Sequence, residues 1–396
     1  MVKYTYNIGE VFYMKNREYR VHFEPITPLW FGNAWMKNDA PIKTSSLMGS
    51  LRFWFEVICY ISGMTTNEDY DTNNNQKTIL KANLDQKGFQ MNLIEKLNGK
   101  TTKNKEMDNL IHEVLTAMKV PLPARVFGCT GWQGLIKVKT VEIKEIKRKP
   151  ALSSPIGISK KDPKAQILRN FACPKKSDKD ISVHYFPNPK LSFYSNFDVI
   201  FATDEKTAQH ILFPLLKFIE NYGFLGRGWK SGYGRVKVYF EEKEKQYDRF
   251  ANYLEFTDTP VKFSDLIEKV NTEKDMWLKE NNRIKILVRG ETENNNVDIN
   301  EIMEELVKEK TYLRRKINDS EKRHQVFGTT KPPSQGSKIL PWLYEDSEKL
   351  KYGFISIFDI FNRYSACQII PFFFYLVDDK IDAHFLRPGY QGSGFR

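Results

Sequence analysis

Five glycines, separated by cationic and aromatic side chains, lie in one short run near the middle of the chain. Residues 223–235 read Gly-Phe-Leu-Gly-Arg-Gly-Trp-Lys-Ser-Gly-Tyr-Gly-Arg, which places Arg227, Lys230 and Arg235 close to Trp229 and Tyr233. Glycine allows a backbone to turn tightly and to approach a ligand closely. Arginine and lysine neutralise phosphates, and tryptophan and tyrosine stack on bases. The composition of this run therefore favours a nucleic acid over a small molecule as the ligand.

The position of the glycine run argues against the common nucleotide-binding motifs. Those motifs follow a strand and open a helix, whereas this run follows a predicted helix and precedes a predicted strand. It matches neither GxGxxG nor GxxxxGK[ST], so no helix N-terminus is predicted to face a pyrophosphate. No cofactor is predicted. The alternative is a flexible connector between helix and strand, with Trp229 and Tyr233 packed in the core.

A second candidate site lies at the predicted start of a helix. Ser45 and Ser46 are candidate N-caps of a helix whose apolar residues share one face: Leu47, Leu51, Phe55 and Ile58. A helix N-terminus carries free N–H groups and a partial positive charge. The two serine hydroxyls add donors, and Lys43 and Arg52 add cations. This segment predicts phosphate binding; the alternative is an ordinary N-cap with Arg52 on the solvent face.

Hydrophobic periodicity predicts an α+β fold around both sites. Residues 1–245 show the order strand, helix, strand, strand, helix, strand, which is the ferredoxin-like (RRM-like, split βαβ) pattern with insertions. Residues 246–396 are predicted to form a second α+β domain, with a degenerate version of the ferredoxin-like pattern. The predicted strands are 19–26, 133–143, 191–201, 236–240, 283–289, 353–358 and 367–377, and the predicted helices are 45–58, 107–118, 208–222, 263–279 and 298–317.

Three segments depart from this regular pattern. Residues 64–105 are rich in asparagine and predict an inserted, partly mobile loop. Residues 144–180 carry many cations and prolines, which is typical either of a basic β-hairpin or of a loop that orders on binding. Pro214 either kinks the helix of residues 208–222 or lies in the first turn of a second helix.

Charge and composition restrict the class of protein. The chain has 396 residues, 41% hydrophobic residues and a net charge of +12, which favours a globular protein with polyanionic partners. Its apolar runs are shorter than the ~18 residues of a membrane span, and the N-terminus lacks a signal-peptide core. The four cysteines lack CxxC spacing, so we expect neither a disulfide framework nor a zinc or other metal site, and a cytoplasmic location.

Short motifs at both candidate sites resemble those of a known family. Residues 41–52 (Pro-Ile-Lys-Thr-Ser-Ser-Leu-Met-Gly-Ser-Leu-Arg) are similar to the Ser-Ser-Leu-Lys-Gly-x-Leu-Arg helix start of the RAMP proteins of type III CRISPR effector complexes. Residues 223–234 are similar to their glycine-rich loop, and residues 125–128 (Arg-Val-Phe-Gly) to their Leu-Phe-Gly element. Residues 27–32 and 51–55 resemble the first-numbered subunit family of the Cmr (type III-B) complex. Met48 departs from the family pattern, in which lysine is common.

This resemblance implies a function and a set of partners. It implies a non-catalytic RNA-binding subunit that caps a type III-B ribonucleoprotein near the 3′ end of the guide RNA and helps to capture target RNA. The implied partners are guide RNA, target RNA and other Cmr subunits, with no membrane. The residues predicted to bind RNA are Lys43, Ser45, Ser46, Arg52, Arg227, Trp229, Lys230, Tyr233 and Arg235.

Two other functions remain open. RAMP subunits that cut RNA use an aspartate between the first strand and the first helix, and residues 39–42 (Asp-Ala-Pro-Ile) resemble their Asp-x-Pro-Ile. The chain would then be an endoribonuclease acting through Asp39, because a carboxylate can orient a 2′-hydroxyl. Otherwise Asp39 is a turn residue before Pro41. A third hypothesis is a scaffold whose basic charge serves only subunit docking.

Overall fold

A four-stranded antiparallel sheet with helices on one face forms the first part of the protein. The computed structural model describes residues 17–31, 42–61, 64–71, 79–97, 104–143, 156–158, 181–183, 195–240, 284–293, 298–316, 324, 327–328, 337, 339–346 and 349–357. Strand β1 (Arg17–Pro25) is followed by helix α1 (Thr44–Ile61), as predicted. Alternate β1 residues Tyr19, Val21 and Phe23 are buried, because successive side chains of a strand point to opposite faces.

The other three strands of the first sheet, and the helix before the last of them, also occur in the predicted order. They are β4 (Lys137–Ile143), β7 (Phe197–Thr203), helix α5 (Phe213–Tyr222) and β8 (Val236–Phe240). The sheet has the order β4-β7-β1-β8. Val21 of β1 lies opposite Val199 of β7, and Phe23 lies opposite Val238 of β8. The two central positions of the sheet are therefore occupied by β7 and β1, and the glycine run leads into the edge strand β8.

Helices α1 and α5 cover the apolar face of this sheet. The four apolar positions that predicted α1 are at most 3% exposed. Trp54 of α1 and Phe218 of α5 contact one another with ring centroids 6.0 Å apart. A π-helical turn, Ala208–Leu212, comes directly before α5. Leu212 and Phe213 both keep right-handed helical angles, so the helix continues through Pro214 and does not begin anew there. This supports the first alternative, a distortion within one helix, and the wider π-turn lies directly before the proline.

The insert after α1 is folded where the structure describes it, so the prediction of a loop over residues 64–105 is wrong there. The insert contains the strand pair β2 (Tyr70–Asp71) and β3 (Ile79–Leu80) and helix α2 (Gln86–Leu97). Phe89 and Leu93 of α2 are buried against α3 (Asn104–Ala117), together with Val114 and Leu115. The asparagine-rich composition concealed an i, i+4 apolar pair, which is sufficient to dock a short helix.

Two elements between the insert and β7 bear on the predictions. Helix α4 (Leu122–Phe127) carries Pro123 in its first turn, where its missing N–H costs nothing, so the prolines at 121 and 123 separate two helices. Strands β5 (Ile156–Ile158) and β6 (Ile181–Val183) pair antiparallel. Residues 156–158 thus belong to a strand pair, as the hairpin alternative predicts, and the rest of residues 144–180 lies outside the described residues.

A second, three-stranded sheet forms the C-terminal part of the described chain. It contains β9 (Ile284–Glu293), β10 (Ile339–Asp346) and β11 (Lys349–Ile357), in the antiparallel order β10-β11-β9. Helix α6 (Ile299–Lys316) connects β9 to β10. Strand β10 was not predicted. The predicted helix of residues 263–279 and strand of residues 367–377 lie outside the described residues.

The two sheets are joined by one hydrophobic core. Leu340 and Trp342 of β10 and Ile355 of β11 belong to the same buried cluster as the residues between the first sheet and its helices. The Trp342 indole N–H donates to the carbonyl of Asn221 at 2.8 Å. The division into domains at residue 245 remains a prediction, but the C-terminal sheet packs directly against the end of α5.

Candidate nucleic-acid interface

The glycine run forms a tight loop because several of its residues adopt backbone angles that favour glycine. A 3₁₀ helix, Trp229–Ser231, lies between Gly228 at φ +86° and Gly232 at φ +83°. At Gly226 a Cβ atom would lie 2.6 Å from the Trp30 carbonyl oxygen, and at Gly234 it would lie 2.2 Å from that of Leu225. These glycines are therefore required for the close backbone packing of the loop itself.

The loop is hydrogen-bonded to the segment that follows β1. The N–H of Arg227 donates to the Trp30 carbonyl at 2.8 Å, and the N–H of Gly234 donates to the Pro28 carbonyl at 3.0 Å. The buried hydroxyl of Thr27 donates to the Gly232 carbonyl at 2.8 Å and accepts from the Arg235 N–H at 2.9 Å. These contacts hold the loop in one conformation against the first strand.

The structure brings the glycine loop and the start of α1 together. Ser50 of α1 accepts a hydrogen bond from the N–H of Gly226 at 3.0 Å, and its hydroxyl lies 3.1 Å from the carbonyl of Ser46, to which it donates. The Trp54 indole N–H donates to the Phe224 carbonyl at 2.9 Å. The two segments that were predicted separately therefore form one continuous surface. Sequence reasoning missed Ser50, although its spacing of four residues from Ser46 places both on one helix face.

Helix α1 begins at Thr44, one residue before Ser45, the first of the two predicted caps. The Lys43 carbonyl accepts from the N–H groups of Ser46 at 3.0 Å and Leu47 at 3.1 Å, which makes Lys43 the N-cap residue. The assignment of Ser45 and Ser46 as N-caps is thus wrong, since both lie in the first turn. Lys43 and Ser45 are exposed and Ser46 is half-buried. The free N–H groups and hydroxyls of this turn remain suited to an anion.

Arg52 is partly engaged within the protein. Its Nε donates to Glu56 at 2.8 Å, its Nη1 donates to the Gly128 carbonyl at 2.8 Å, and 32% of its side chain is exposed. Burial raises the pKa of Glu56, and the hydrogen bond and charge of Arg52 oppose that shift. The contact between Arg52 and RNA remains a prediction, and it would use the part of the guanidinium that these two partners leave free.

The aromatic residues of the loop belong largely to the core. Tyr233 is 2% exposed, so the prediction that it stacks on bases is not compatible with this conformation. Trp229 is half-buried and packs against Phe53 and Trp54, with ring centroids 5.0 Å and 5.6 Å away. The core-packing alternative therefore describes Tyr233, while Trp229 is only partly buried.

Arg235 is buried, which corrects its assignment as an RNA-binding residue. Its side chain has no exposed surface, and its guanidinium donates to five backbone carbonyls: those of Ile219, Glu220, Asn221, Gly223 and Leu343. It also lies over the Phe224 ring, 5.3 Å from the centroid. Burial lowers the pKa of Arg235 to about 9, with the charge of Glu220 opposing this shift. Arg235 therefore caps the end of α5 and connects it to β10.

The exposed cations of the interface are Lys43, Arg227 and Lys230. Among the described residues, none forms a side-chain ion pair with these three. Charges that lack a protein partner are available to a polyanion. Asp39 lies outside the described residues. Of the five cations predicted to bind RNA, Arg52 and Arg235 are held by protein partners, and the other three are exposed.

A buried lysine supports the loop from the C-terminal part and was missed by sequence reasoning. Lys310 of α6 is 3% exposed, and its Nζ donates to the carbonyl of Lys230 at 2.8 Å. Its spacing from Met303 and Leu306 places it on the apolar face of that helix. A lysine on an apolar helix face is the signal that would have identified it.

The described residues hold neither a metal cluster nor a membrane span. They contain no group of three or more His, Cys, Asp or Glu side chains that could hold a metal ion. Within the same part of the chain, no helix is both long and apolar enough to cross a membrane.

Comparisons with solved structures find similar chains in CRISPR complexes and their subunits. In solved structures, the chain is similar to Cmr1 from Pyrococcus furiosus in its apo form (16% identity, TM-score 0.39), with 87% of this chain and 88% of that chain covered. It is also similar to a chain of the type III-B Cmr-beta complex bound to cognate target RNA (11%, TM-score 0.35, 91% and 100% covered). A third similar chain belongs to a type IV-B CRISPR complex (12%, TM-score 0.29, 64% and 99% covered).

The family itself is shown by sequence. No curated protein matches the chain. The family model of the RAMP superfamily matches residues 22–237, which include most of the first sheet, α1, α5 and the glycine loop. This match covers more than half of the 396 residues, and the chain therefore belongs to the RAMP superfamily.

Proposed function

We propose that this protein is a non-catalytic RNA-binding subunit of a type III CRISPR ribonucleoprotein, most similar to the first-numbered subunit of the type III-B Cmr complex. In this proposal it caps the assembly near the 3′ end of the guide RNA and helps to capture target RNA. Its partners are guide RNA, target RNA and other Cmr subunits, and it acts in the cytoplasm. Membership of the RAMP superfamily supports the assignment to this class.

One observation carries the RNA-binding proposal. The hydrogen bond from the Gly226 N–H to the Ser50 hydroxyl joins the glycine loop to α1, and exposed cations lie on both sides of this contact. Arg227 follows Gly226 directly, and Lys43 caps the same helix. Rigid backbone segments that present unpaired cations and free N–H groups suit the regular charge spacing of an RNA backbone better than the variable edges of bases.

The fold proposal extends to the C-terminal part. The order β9, α6, β10, β11 and the sheet order β10-β11-β9 correspond to the first three strands and first helix of a ferredoxin-like unit. We propose that residues 246–396 form a second, degenerate ferredoxin-like domain. This second unit packs against the end of α5, which leaves the exposed side of the glycine loop accessible.

RNA affinity of charge-matched variants tests the proposal. The variant Lys43→Ala/Arg227→Ala/Lys230→Ala removes the three exposed interface cations. A control, Lys81→Ala/Lys87→Ala/Lys349→Ala, removes three exposed lysines from the insert and the C-terminal sheet. We expect the first variant to lose most of its affinity for single-stranded RNA at low salt, and the control to lose little. Equal losses of RNA affinity in both variants would show that affinity depends on the total charge and not on these three residues.

Cleavage assays address the competing endoribonuclease hypothesis. Labelled RNA incubated with the purified protein and with an Asp39→Ala variant is expected to remain intact in both cases. Cleavage by the wild-type protein that disappears in the Asp39→Ala variant would show that the chain is an enzyme and would overturn the non-catalytic assignment.

A further inference from the structure

The 3₁₀ turn of the glycine loop rests on the C-terminal part of the protein. A Cβ atom at Gly232 would lie 3.1 Å from Cβ of Pro341 and 3.5 Å from Cε of Met303. These contacts place strand β10 and helix α6 directly beneath the turn that carries Lys230. The exposed side of the turn presents a cation, and its buried side is fixed by a different structural unit.

Lys310 adds a polar contact beside these apolar ones. Its Nζ donates to the Lys230 carbonyl at 2.8 Å while only 3% of the residue is exposed. A buried ammonium is unfavourable unless it is hydrogen-bonded, and a hydrogen bond from a charged donor is stronger than a neutral one. The bond therefore fixes the orientation of the peptide unit that follows Lys230, and with it the direction in which the Lys230 side chain leaves the loop.

We propose that Lys310 is a positioning residue, which holds the 3₁₀ turn in its RNA-binding conformation and makes RNA affinity in the first sheet depend on the C-terminal helix α6. This inference rests on the proposed RNA-binding function. Lys310 itself is too buried to touch RNA, so its effect on RNA binding is indirect and passes through the Lys230 carbonyl. A loop that is already ordered loses less conformational freedom on binding, which raises affinity without adding a contact.

The test compares three single substitutions in the full-length protein. Lys310→Met removes the buried donor, Lys230→Ala removes the exposed cation, and Lys308→Met is the control on the same helix. The Lys308 ammonium pairs with Glu304 and Glu305 rather than with the loop. The measurements are the dissociation constant for a single-stranded oligonucleotide at several salt concentrations, and hydrogen exchange over residues 228–234.

A positioning residue and a direct contact give different salt dependence. Each phosphate contact contributes about 0.7 to the slope of log K against log salt for single strands. Lys230→Ala is expected to lower the slope by about that amount. Lys310→Met is expected to weaken binding about tenfold at an unchanged slope, as for loss of one charge-assisted hydrogen bond, and to speed exchange in the loop. Lys308→Met should change neither quantity.

Different results would overturn the inference about Lys310 and the proposed RNA-binding function. Unchanged affinity in Lys310→Met would overturn the inference, and so would a lowered slope, because the latter indicates a direct phosphate contact. If Lys310→Met does not fold, Lys310→Gln, which has a shorter and neutral donor, is measured instead. Faster exchange over residues 228–234 with unchanged RNA affinity, or a lowered slope, would then overturn the inference. If neither Lys230→Ala nor the triple variant of the interface cations changes RNA binding, the proposed function fails instead of the inference.

Discussion

Replacing Arg235 with methionine separates a structural role of this residue from RNA binding. The guanidinium donates to five backbone carbonyls in the interior. Two of these have other donors: the carbonyl of Ile219 also accepts from the N–H of Gly223, and that of Asn221 also accepts from Trp342. For the carbonyls of Glu220 and Gly223, the described residues offer no second donor. Methionine would therefore leave at least two buried carbonyls without a partner.

The cost of Arg235→Met follows from these two carbonyls. Each buried acceptor left without a partner costs about 1–3 kcal/mol. Removing a buried cation, whose pKa burial lowers to about 9, offsets part of that cost. We expect a net loss of about 2–4 kcal/mol in the free energy of unfolding. At roughly 2–4 °C per kcal/mol, the melting temperature should fall by about 4–16 °C.

Thermal unfolding followed by circular dichroism measures this loss, with Arg227→Met as the matched control. Arg227 is exposed, so its replacement should change stability by no more than about 0.5 kcal/mol while weakening RNA binding. An Arg235→Met variant that melts at the wild-type temperature and loses RNA affinity as Arg227→Met does would refute the buried, structural assignment of Arg235.

Three further substitutions test other parts of the account. Gly234→Ala forces a side chain onto a φ of +96°, with its Cβ 2.2 Å from the Leu225 carbonyl oxygen, so it should lower stability by more than about 1 kcal/mol in chemical denaturation; unchanged stability would contradict the loop conformation. Gly49→Ala meets open space in an exposed turn of α1 and should raise stability by about 0.5–1 kcal/mol, while RNA binding falls if the RNA backbone passes close to that turn. Burial raises the pKa of Glu56 above its usual 4.5, so its stabilising contribution is full below pH 4.5 and is lost as pH rises through the folded value. Glu56→Gln should therefore gain stability relative to wild type as pH increases from 4 to 7, and a pH-independent difference would exclude this titration.

Much of the fold near the glycine loop could be predicted because local patterns dominate there. The spacing of Leu47, Leu51 and Phe55 specifies one buried helix face, and the alternation of β1 residues specifies one buried strand face. These periodicities arise from the geometry of a single element. The order of elements also predicted that the glycine loop and the start of α1 lie near one another. The glycine loop leads into β8, and β8 pairs with β1, the strand that precedes α1.

The errors concern residues whose environment is set by distant parts of the chain. Arg235 looks like a surface cation in sequence, but it is buried because α5 and β10 present five carbonyls to one point. Lys310 is likewise placed by a contact with a distant segment, the carbonyl of Lys230, and Tyr233 is buried although it lies in a glycine-rich loop. Composition also misled in the insert, where α2 docks through Phe89 and Leu93. Tertiary contacts of this kind leave little trace in local spacing.

Photochemical cross-linking of RNA to the full-length protein, followed by mapping of the modified peptides, tests whether RNA binds at the glycine loop and the start of α1. We expect cross-links in residues 223–231, around the exposed Arg227 and Lys230, and in residues 42–52, around Lys43. Cross-links confined to the insert of residues 64–105 or to the C-terminal sheet, with both predicted segments unmodified, would contradict this expectation.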